Sequence, residues 1–222
     1  MSWGMLGQNF NVAGVTIFMS TLAGRRYLAI PHISVQDINQ VDWKALREAG
    51  FKGCVFDKDN TLTLPYAAAV HAPVLRSLEE CKAAFPERVV MLSNSAGLEQ
   101  FDPDGSKAEA LEKQLNIPVL RHKSKKPGGG PEALEAFFEC EARQLIMIGD
   151  RYFTDVVYGN RNGMLTIRPA PFTTEGESTV IKTVRMFEDH KIRRWTGRGI
   201  QAPVHNMLPN SEALGIDWTK DE

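Results

Sequence analysis

The sequence predicts an α/β fold, a three-layer sandwich with a central parallel sheet covered by helices on both faces. Three observations lead there. Short apolar runs alternate with segments of helical spacing from residue 42 to residue 195. The runs are continuously apolar, as strands buried on both faces are. Each ends in small or polar residues, at the edge where an open parallel sheet presents its ligand crevice. With 222 residues, the chain can build one domain with a substantial core.

The N-terminal stretch comes first. No charged side chain lies between Met1 and Gly24; Arg25 and Arg26 follow. The stretch is too polar and too broken by glycine to span a bilayer. It lacks the early positive charges of a secretory signal and the Arg-rich face of a transit peptide. On a helical wheel, Trp3, Leu6, Phe10, Ala13 and Ile17 share one side. Val12, Val15, Met19 and Leu22 share a neighbouring one. So broad an apolar face suits a membrane surface or packing on its own domain.

Residues 42–49 form a short helix, with Asp42 as N-cap and Gly50 ending it. KGCVFD, 52–57, is a buried strand. Pro73 to Phe85 is a helix that opens with proline in its first turn. RVVMLSNS, 88–95, is the next strand. A helix starts at Ser106 with a Ser cap and an acidic first turn, and IPVLRH, 117–122, is read as a third strand. KSKKPGGG is a loop and Pro131 starts a helix. QLIMIGD, 144–150, is a fourth strand, Thr154 to Asn162 a helix closed by Gly163, and MLTIRP, 164–169, a fifth strand. A charged amphipathic helix covers 179–195, and the last two dozen residues read as irregular.

Composition excludes several function classes. A formal net charge of −1 argues for neither nucleic acid nor membrane on global grounds. Cys54, Cys81 and Cys140 are widely spaced and show no C-x-x-C pair, which speaks against a zinc site or a disulfide framework.

The polar residues at the strand ends then carry the chemistry. Asp57 and Asp59 follow the first strand, Ser93 the second, Lys125 and Lys126 the third, and Gly149 and Asp150 the fourth. A calcium loop is ruled out, because it needs Gly and Glu where Leu62 and Ala68 stand. A plain turn accounts for D-x-D alone but not for the lysine and aspartate gathered beside it. A phosphoryl-transfer site uses all of them. One carboxylate attacks phosphorus and forms an aspartyl-phosphate, and a divalent cation separates it from the dianionic phosphate. Asp57 and Asp150 supply ligands that suit Mg2+. Asp59 serves as acid and base. Ser93 and the Asn94 position bind phosphoryl oxygens, a lysine neutralises charge, and Asp155 orients the lysine or metal-bound water.

These residues resemble the motifs of the haloacid dehalogenase-like superfamily of phosphatases. D-x-D-x-T stands as Asp57-Lys58-Asp59-Asn60-Thr61, the strand-end serine as Ser93, the lysine as Lys126 with Lys125 as competitor, and G-D-x-x-x-x-D as Gly149 to Asp155. The resemblance implies an Asp57 nucleophile, an Asp59 acid/base that also contacts the metal through its backbone carbonyl, and an orienting role for Thr61. The short intervals after Thr61 and between Ser93 and Lys126 leave no room for a cap domain. An open site suits a large substrate.

More narrowly, PHISVQDI, VFDKDNTLT, LSNSAG, HKSKKPGG and IGDRYFTDVVYGN resemble the fungal mitochondrial phosphatidylglycerophosphate phosphatases. That resemblance implies a phospholipid substrate, phosphatidylglycerophosphate. It implies phosphatidylglycerol for cardiolipin synthesis as product, and a peripheral place on the matrix side of the mitochondrial inner membrane. Residues 1–30 then read as a membrane-associating segment, 31–200 as the phosphatase domain and 201–222 as a tail. Arg121, His122, Lys123, Lys125 and Lys126 form a basic run at the expected crevice mouth. Lys182, Arg185, Lys191, Arg193, Arg194 and Arg198 outnumber Glu188 and Asp189 on the last helix. With Trp3 and Trp195 as interface aromatics, these suit an anionic membrane surface; no nucleic-acid partner is expected. The alternatives are a soluble capless phosphatase acting on protein or nucleic-acid phosphomonoesters, and a non-catalytic scaffold.

Overall fold

A computed structural model describes residues 12–208, with side chains from residue 16. Its centre is a five-stranded, all-parallel sheet in the order β1-β5-β4-β2-β3. The strands are β1 (Ile33–Val35), β2 (Gly53–Phe56), β3 (Val89–Met91), β4 (Leu145–Ile148) and β5 (Leu165–Pro169). The helices are α1 (Val12–Ala23), α2 (Trp43–Glu48), α3 (Leu75–Ala84), α4 (Ser106–Leu115), α5 (Glu132–Phe138), α6 (Val157–Arg161) and α7 (Thr179–Thr196). A π-helical turn, Tyr152–Val156, leads into α6. No cap domain interrupts the described chain between β2 and α3 or between β3 and α5, so the fold is a capless haloacid dehalogenase-like sandwich.

The pleat sorts the core. Cys54 and Phe56 of β2 face one layer, with Trp43, Leu78, Cys81 and Leu111 from α2, α3 and α4. Val55 between them faces the other, with Leu134, Phe138 and Tyr158 from α5 and α6. All four β2 side-chain positions are buried, which explains why the strand reads as a continuous apolar run. Burying a side chain such as Phe56 stabilises by about 1.5–3 kcal/mol relative to exposure. Trp43 Nε1 donates to Ser77 Oγ at 2.9 Å, and that hydroxyl donates to Ile38 O at 2.6 Å, so the indole's polar end is satisfied inside the core.

Asp42 caps α2 as expected, its carboxylate accepting from Ala45 N at 2.9 Å. Three expectations need correction. The stretch 117–122 is not a strand of the sheet: it touches β3 and a following loop only through the single bridges Met91–Val119 and Leu98–His122. Pro118 has no N–H to extend a ladder. The edge strand β1 was not foreseen, being three residues long and flanked by polar residues. At the start of α4 the capping carboxylates are Asp102 and Asp104, not Ser106.

A third apolar cluster joins α1 to the end of the chain. Ile17, Phe18 and Leu22 pack with Ala29, Phe153, Ile192 and Trp195, and the Phe18 and Phe153 rings meet edge-on at 5.0 Å. For these residues of α1 the face read from the wheel is spent on the domain itself, whereas Met19 stays 57% exposed. Trp195 is 4% exposed, so it is a core residue and not an interface aromatic. Trp3 lies outside the described residues, as do the rest of 1–11 and of the tail from 209. No helix among the described residues is long and apolar enough to cross a membrane.

Gly159 lets α6 sit directly on the sheet: a Cβ there would lie 2.5 Å from Thr166 Cγ2 and 2.9 Å from Met147 Cβ. Gly159→Ala is expected to destabilise by about 1–3 kcal/mol through overpacking. Urea unfolding monitored by circular dichroism measures this, and an unchanged midpoint contradicts the packing argument.

Candidate active site

The last rung of the β2 ladder sets the site. Asp57 N donates to Ile148 O at 2.8 Å, and Leu92 N donates to Phe56 O at 2.8 Å. The loops after β2, β3 and β4 therefore leave the sheet side by side. Immediately past the rung the chain turns back: Leu62 N and Thr63 N both donate to Lys58 O at 3.0 Å. Asn60 takes a left-handed φ of 59°, which asparagine tolerates. The turn holds Asp57 and Asp59 in different settings. The Asp59 carboxylate accepts from Lys58 Nζ at 2.8 Å and from Tyr66 N at 2.9 Å, both on Oδ1. Thr61 is buried below the turn, with no partner for its hydroxyl among the described residues.

Lys126 is the centre of the cluster. Its ammonium is buried and lies 2.7 Å from Asp57 Oδ1 and 2.7 Å from Asp155 Oδ1. Asn94 holds the lysine's backbone from both sides: Lys126 N donates to Asn94 Oδ1 at 2.8 Å, and Asn94 Nδ2 donates to Lys126 O at 3.4 Å. Lys125 points elsewhere, its ammonium 4.1 Å from the Phe101 ring centroid. Ser93 is buried, and its hydroxyl lies 2.9 Å from that of Ser95.

From the other side come Asp150 and Asp155. Asp155 sits in the π-helical turn and accepts from Arg151 N at 3.1 Å, which with Lys126 occupies both its oxygens. Gly149 makes room for it: a Cβ there would lie 2.5 Å from Asp155 Cγ. Asp150 is buried, and Arg185 Nη1 of α7 lies 2.6 Å from its Oδ2. That oxygen has no directed hydrogen bond among the described residues. The rest of the guanidinium is held by Glu177, through Nε at 2.8 Å and Nη2 at 2.6 Å. Glu177 in turn accepts from Asn60 Nδ2 at 2.9 Å. Asp57, Asp59, Ser93, Asn94, Asp150 and Asp155 all line one cleft of about 260 Å³, with Tyr66 and Ile181 at its sides.

The electrostatics favour a cation. Ligand oxygens of Asp57, Asp150 and Asp155 lie within 4.8 Å of one another. Burial pushes Asp57 up to about 6 against the pull of Lys126, with Asp155 adding to the rise. Burial likewise pushes Asp150 up to about 7 against Arg185. Burial also opposes the charge of Lys126, yet Asp155 and Asp57 hold its ammonium well above the usual lysine range. Two buried carboxylates pushed toward protonation, with a third beside them, fit a hard divalent cation with oxygen ligands. Asp59's carboxylate lies outside this trio, and the Asp155 oxygens are already engaged.

A family model described as mitochondrial PGP phosphatase matches residues 12–171. The chain belongs to that family. It is an enzyme, a phosphomonoester hydrolase. It is 53% identical over 215 residues to phosphatidylglycerophosphate phosphatase 1, chloroplastic, of Chlamydomonas reinhardtii, covering 97% of this chain and 79% of that protein. It is 45% identical over 203 residues to phosphatidylglycerophosphate phosphatase 1, chloroplastic/mitochondrial, of Arabidopsis thaliana, covering 91% of this chain and 58% of that one. A probable phosphatidylglycerophosphatase, mitochondrial, of Schizosaccharomyces pombe is 30% identical over 166 residues, 69% of this chain and 79% of the fungal one. No solved structure matches the chain.

All nine residues singled out in the sequence fall within the family match, and the structure brings Asp57, Lys126, Asp150 and Asp155 into contact range. Arg185 and Glu177 lie beyond the match, and the sequence reading placed Arg185 on a basic face turned toward an anionic membrane surface. A hint was present in Glu177, eight residues before it and just ahead of the same helix. The basic run needs correction too. Arg121, His122 and Lys123 line a neighbouring cavity of about 280 Å³ with Glu99, Glu132 and Lys126, and of the run only Lys126 reaches Asp57.

Two outcomes are expected. Divalent cation binding at pH 6.5 releases protons from Asp57 and Asp150, and at pH 8.5 it does not, because both are already ionised. Calorimetry in buffers of different ionisation heat counts them; an equal count at both pH values refutes the assignment. Arg185→Gln removes a like charge from the cation's neighbourhood and tightens cation binding by about tenfold. Weaker binding shows instead that Arg185 supports the site.

Proposed function

We propose that this phosphatase removes the terminal phosphate of phosphatidylglycerophosphate, leaving phosphatidylglycerol, by way of an aspartyl-phosphate on Asp57 and with Mg2+. The observation that carries this reading is the buried Lys126 ammonium bridging Asp57 and Asp155 beside Asp150, at an uncapped sheet end. It stands in a chain whose relatives in three organisms carry that substrate in their names.

Asp57 and Asp150 would hold the cation, joined by the backbone carbonyl of Asp59. The cation supplies charge neutralisation between nucleophile and phosphate. The chain's own residues do the rest. An Asp57 oxygen attacks phosphorus and the bond to the lipid's glycerol oxygen breaks. Asp59 gives that oxygen a proton. Its Oδ1 is held by Lys58 and Tyr66 N, which leaves Oδ2 to carry the proton. Lys126 and the Ser93 hydroxyl stabilise the phosphoryl oxygens, and Asn94 and Asp155 fix the lysine in place. Thr61 orients the turn from below. In the second step Asp59 takes a proton from water, whose oxygen attacks phosphorus and frees Asp57.

The product is a precursor for cardiolipin. Names of relatives point to an organelle, mitochondrial in the fungal case and chloroplastic in the algal one. The matrix side of the mitochondrial inner membrane, with peripheral attachment, is the reading we retain, and a chloroplast membrane is the counterpart for a green lineage. Residues 31–200 form the phosphatase domain, with 1–30 assisting attachment and 201–222 as a tail.

The test is phosphate release from phosphatidylglycerophosphate in mixed micelles, beside glycerol 3-phosphate and a phosphopeptide, with Mg2+ or with chelator. Preference for the lipid and loss with chelator are expected. Equal or faster release from the phosphopeptide favours a soluble phosphatase acting on macromolecular phosphomonoesters. Asp57→Asn lowers kcat by about a thousandfold or more. Asp59→Asn lowers it by about 10²–10⁴-fold and accumulates the phosphoenzyme. Wild-type turnover in either variant removes that residue's role.

A further inference from the structure

The helix α7 has two unlike faces. Its inner face carries Ile181 to the wall of the catalytic cleft, Arg185 to Asp150, and Ile192 and Trp195 into the core. Its outer face is exposed and holds large apolar side chains: Val180 is 71% and Met186 72% exposed, and Phe187, partly covered, is 37% exposed. The exposed positions of α7 also include Lys182, Arg193 and Arg194 and no carboxylate. The helix's two acidic residues are withdrawn: Glu188 is buried against Arg151 at 2.9 Å, and Asp189 is partly buried. Next to this face stands α1, whose Phe18 ring lies 6.3 Å from that of Phe187, and the following residue Met19 is itself exposed.

Exposed apolar side chains interleaved with cations and free of anions are the pattern of a helix lying in a bilayer interface: the apolar groups enter the headgroup boundary and the cations meet anionic lipid. A solvated helix has no use for this many open apolar groups, and a basic protein partner would be repelled. We propose that the outer face of α7, with Met19 beside it, seats the enzyme on an anionic lipid bilayer. This rests on the phospholipid reading above and adds a place to it. Because Ile181 of the same helix walls the cleft, docking through α7 brings the cleft to within about 10 Å, one helix diameter, of the headgroups. The substrate then reaches Asp57 without leaving its membrane.

The experiment uses the full chain, sedimented with vesicles of phosphatidylcholine alone or with phosphatidylglycerol added. The wild type is expected to sediment with the anionic vesicles. The Val180→Glu/Met186→Glu double variant is expected to bind them about tenfold more weakly, with hydrolysis of glycerol 3-phosphate within twofold of wild type. That second readout shows that the variant is folded. Wild-type sedimentation by the double variant overturns the proposal. So does a wild type that ignores both vesicle types, which would assign the face to a protein partner or to another part of the chain. The same preparations are assayed on phosphatidylglycerophosphate in micelles. Hydrolysis there, with unchanged sedimentation by the variant, sinks the docking face and keeps the substrate. Sedimentation lost in the variant, with no hydrolysis by the wild type, keeps the face and sinks the substrate.

Discussion

One buried ammonium underlies the site. Three carboxylates with oxygens within 4.8 Å of one another repel strongly in a medium that solvates them poorly. Lys126 touches two of them at 2.7 Å and is itself almost fully buried, so neither charge nor countercharge stands alone. Everything around it serves to keep that arrangement. Asn94 clamps the lysine backbone, Gly149 leaves space for Asp155, and Arg151 N takes the aspartate's second oxygen. The compensation is incomplete: Arg185 lies 2.6 Å from Asp150, yet burial still pushes Asp150 and Asp57 toward protonation. A cluster so placed fits a divalent cation.

Much of this was legible in the sequence because its causes are local. A continuously apolar run of four residues has few options other than a buried strand, and a carboxylate directly after it must lie at the sheet's end. Asp57, Ser93 and Asp150 were placed by that rule alone. Asp42 was placed by capping chemistry. Where several contacts compete, the sequence was less informative. The stretch 117–122 is as apolar as a strand, but Pro118 and the edge position limit it to a single bridge beside β3. Lys125 and Lys126 are adjacent and chemically alike; only the Asn94 clamp and the Phe101 ring decide which one turns inward.

Arg185 shows a deeper limit. On a wheel it belongs among lysines and arginines, and its partners lie on three separate segments: Asp150 after β4, Glu177 before α7, and through it Asn60 after β2. No pattern within one helix encodes such a meeting. Trp195 failed for the same reason, since its burial depends on Phe153 and on α1 arriving from the far end of the chain.

The β2 ladder ends on Asp57, the proposed nucleophile, through Asp57 N and Ile148 O. The parts that border the cleft from outside are of another kind. Tyr66 rests on a turn held by a few bonds, and Ile181 rides on a helix that joins the domain only after β5. The enzyme is thus divided into a rigid chemical half and a replaceable recognition half. The first is as hard to alter as the sheet. The second can change its exposed side chains without shifting a reacting group, but not its backbone, because Tyr66 N holds the Asp59 carboxylate and Arg185 of the same helix as Ile181 touches Asp150. New substrates are open to this scaffold through its rim side chains long before its chemistry has to change.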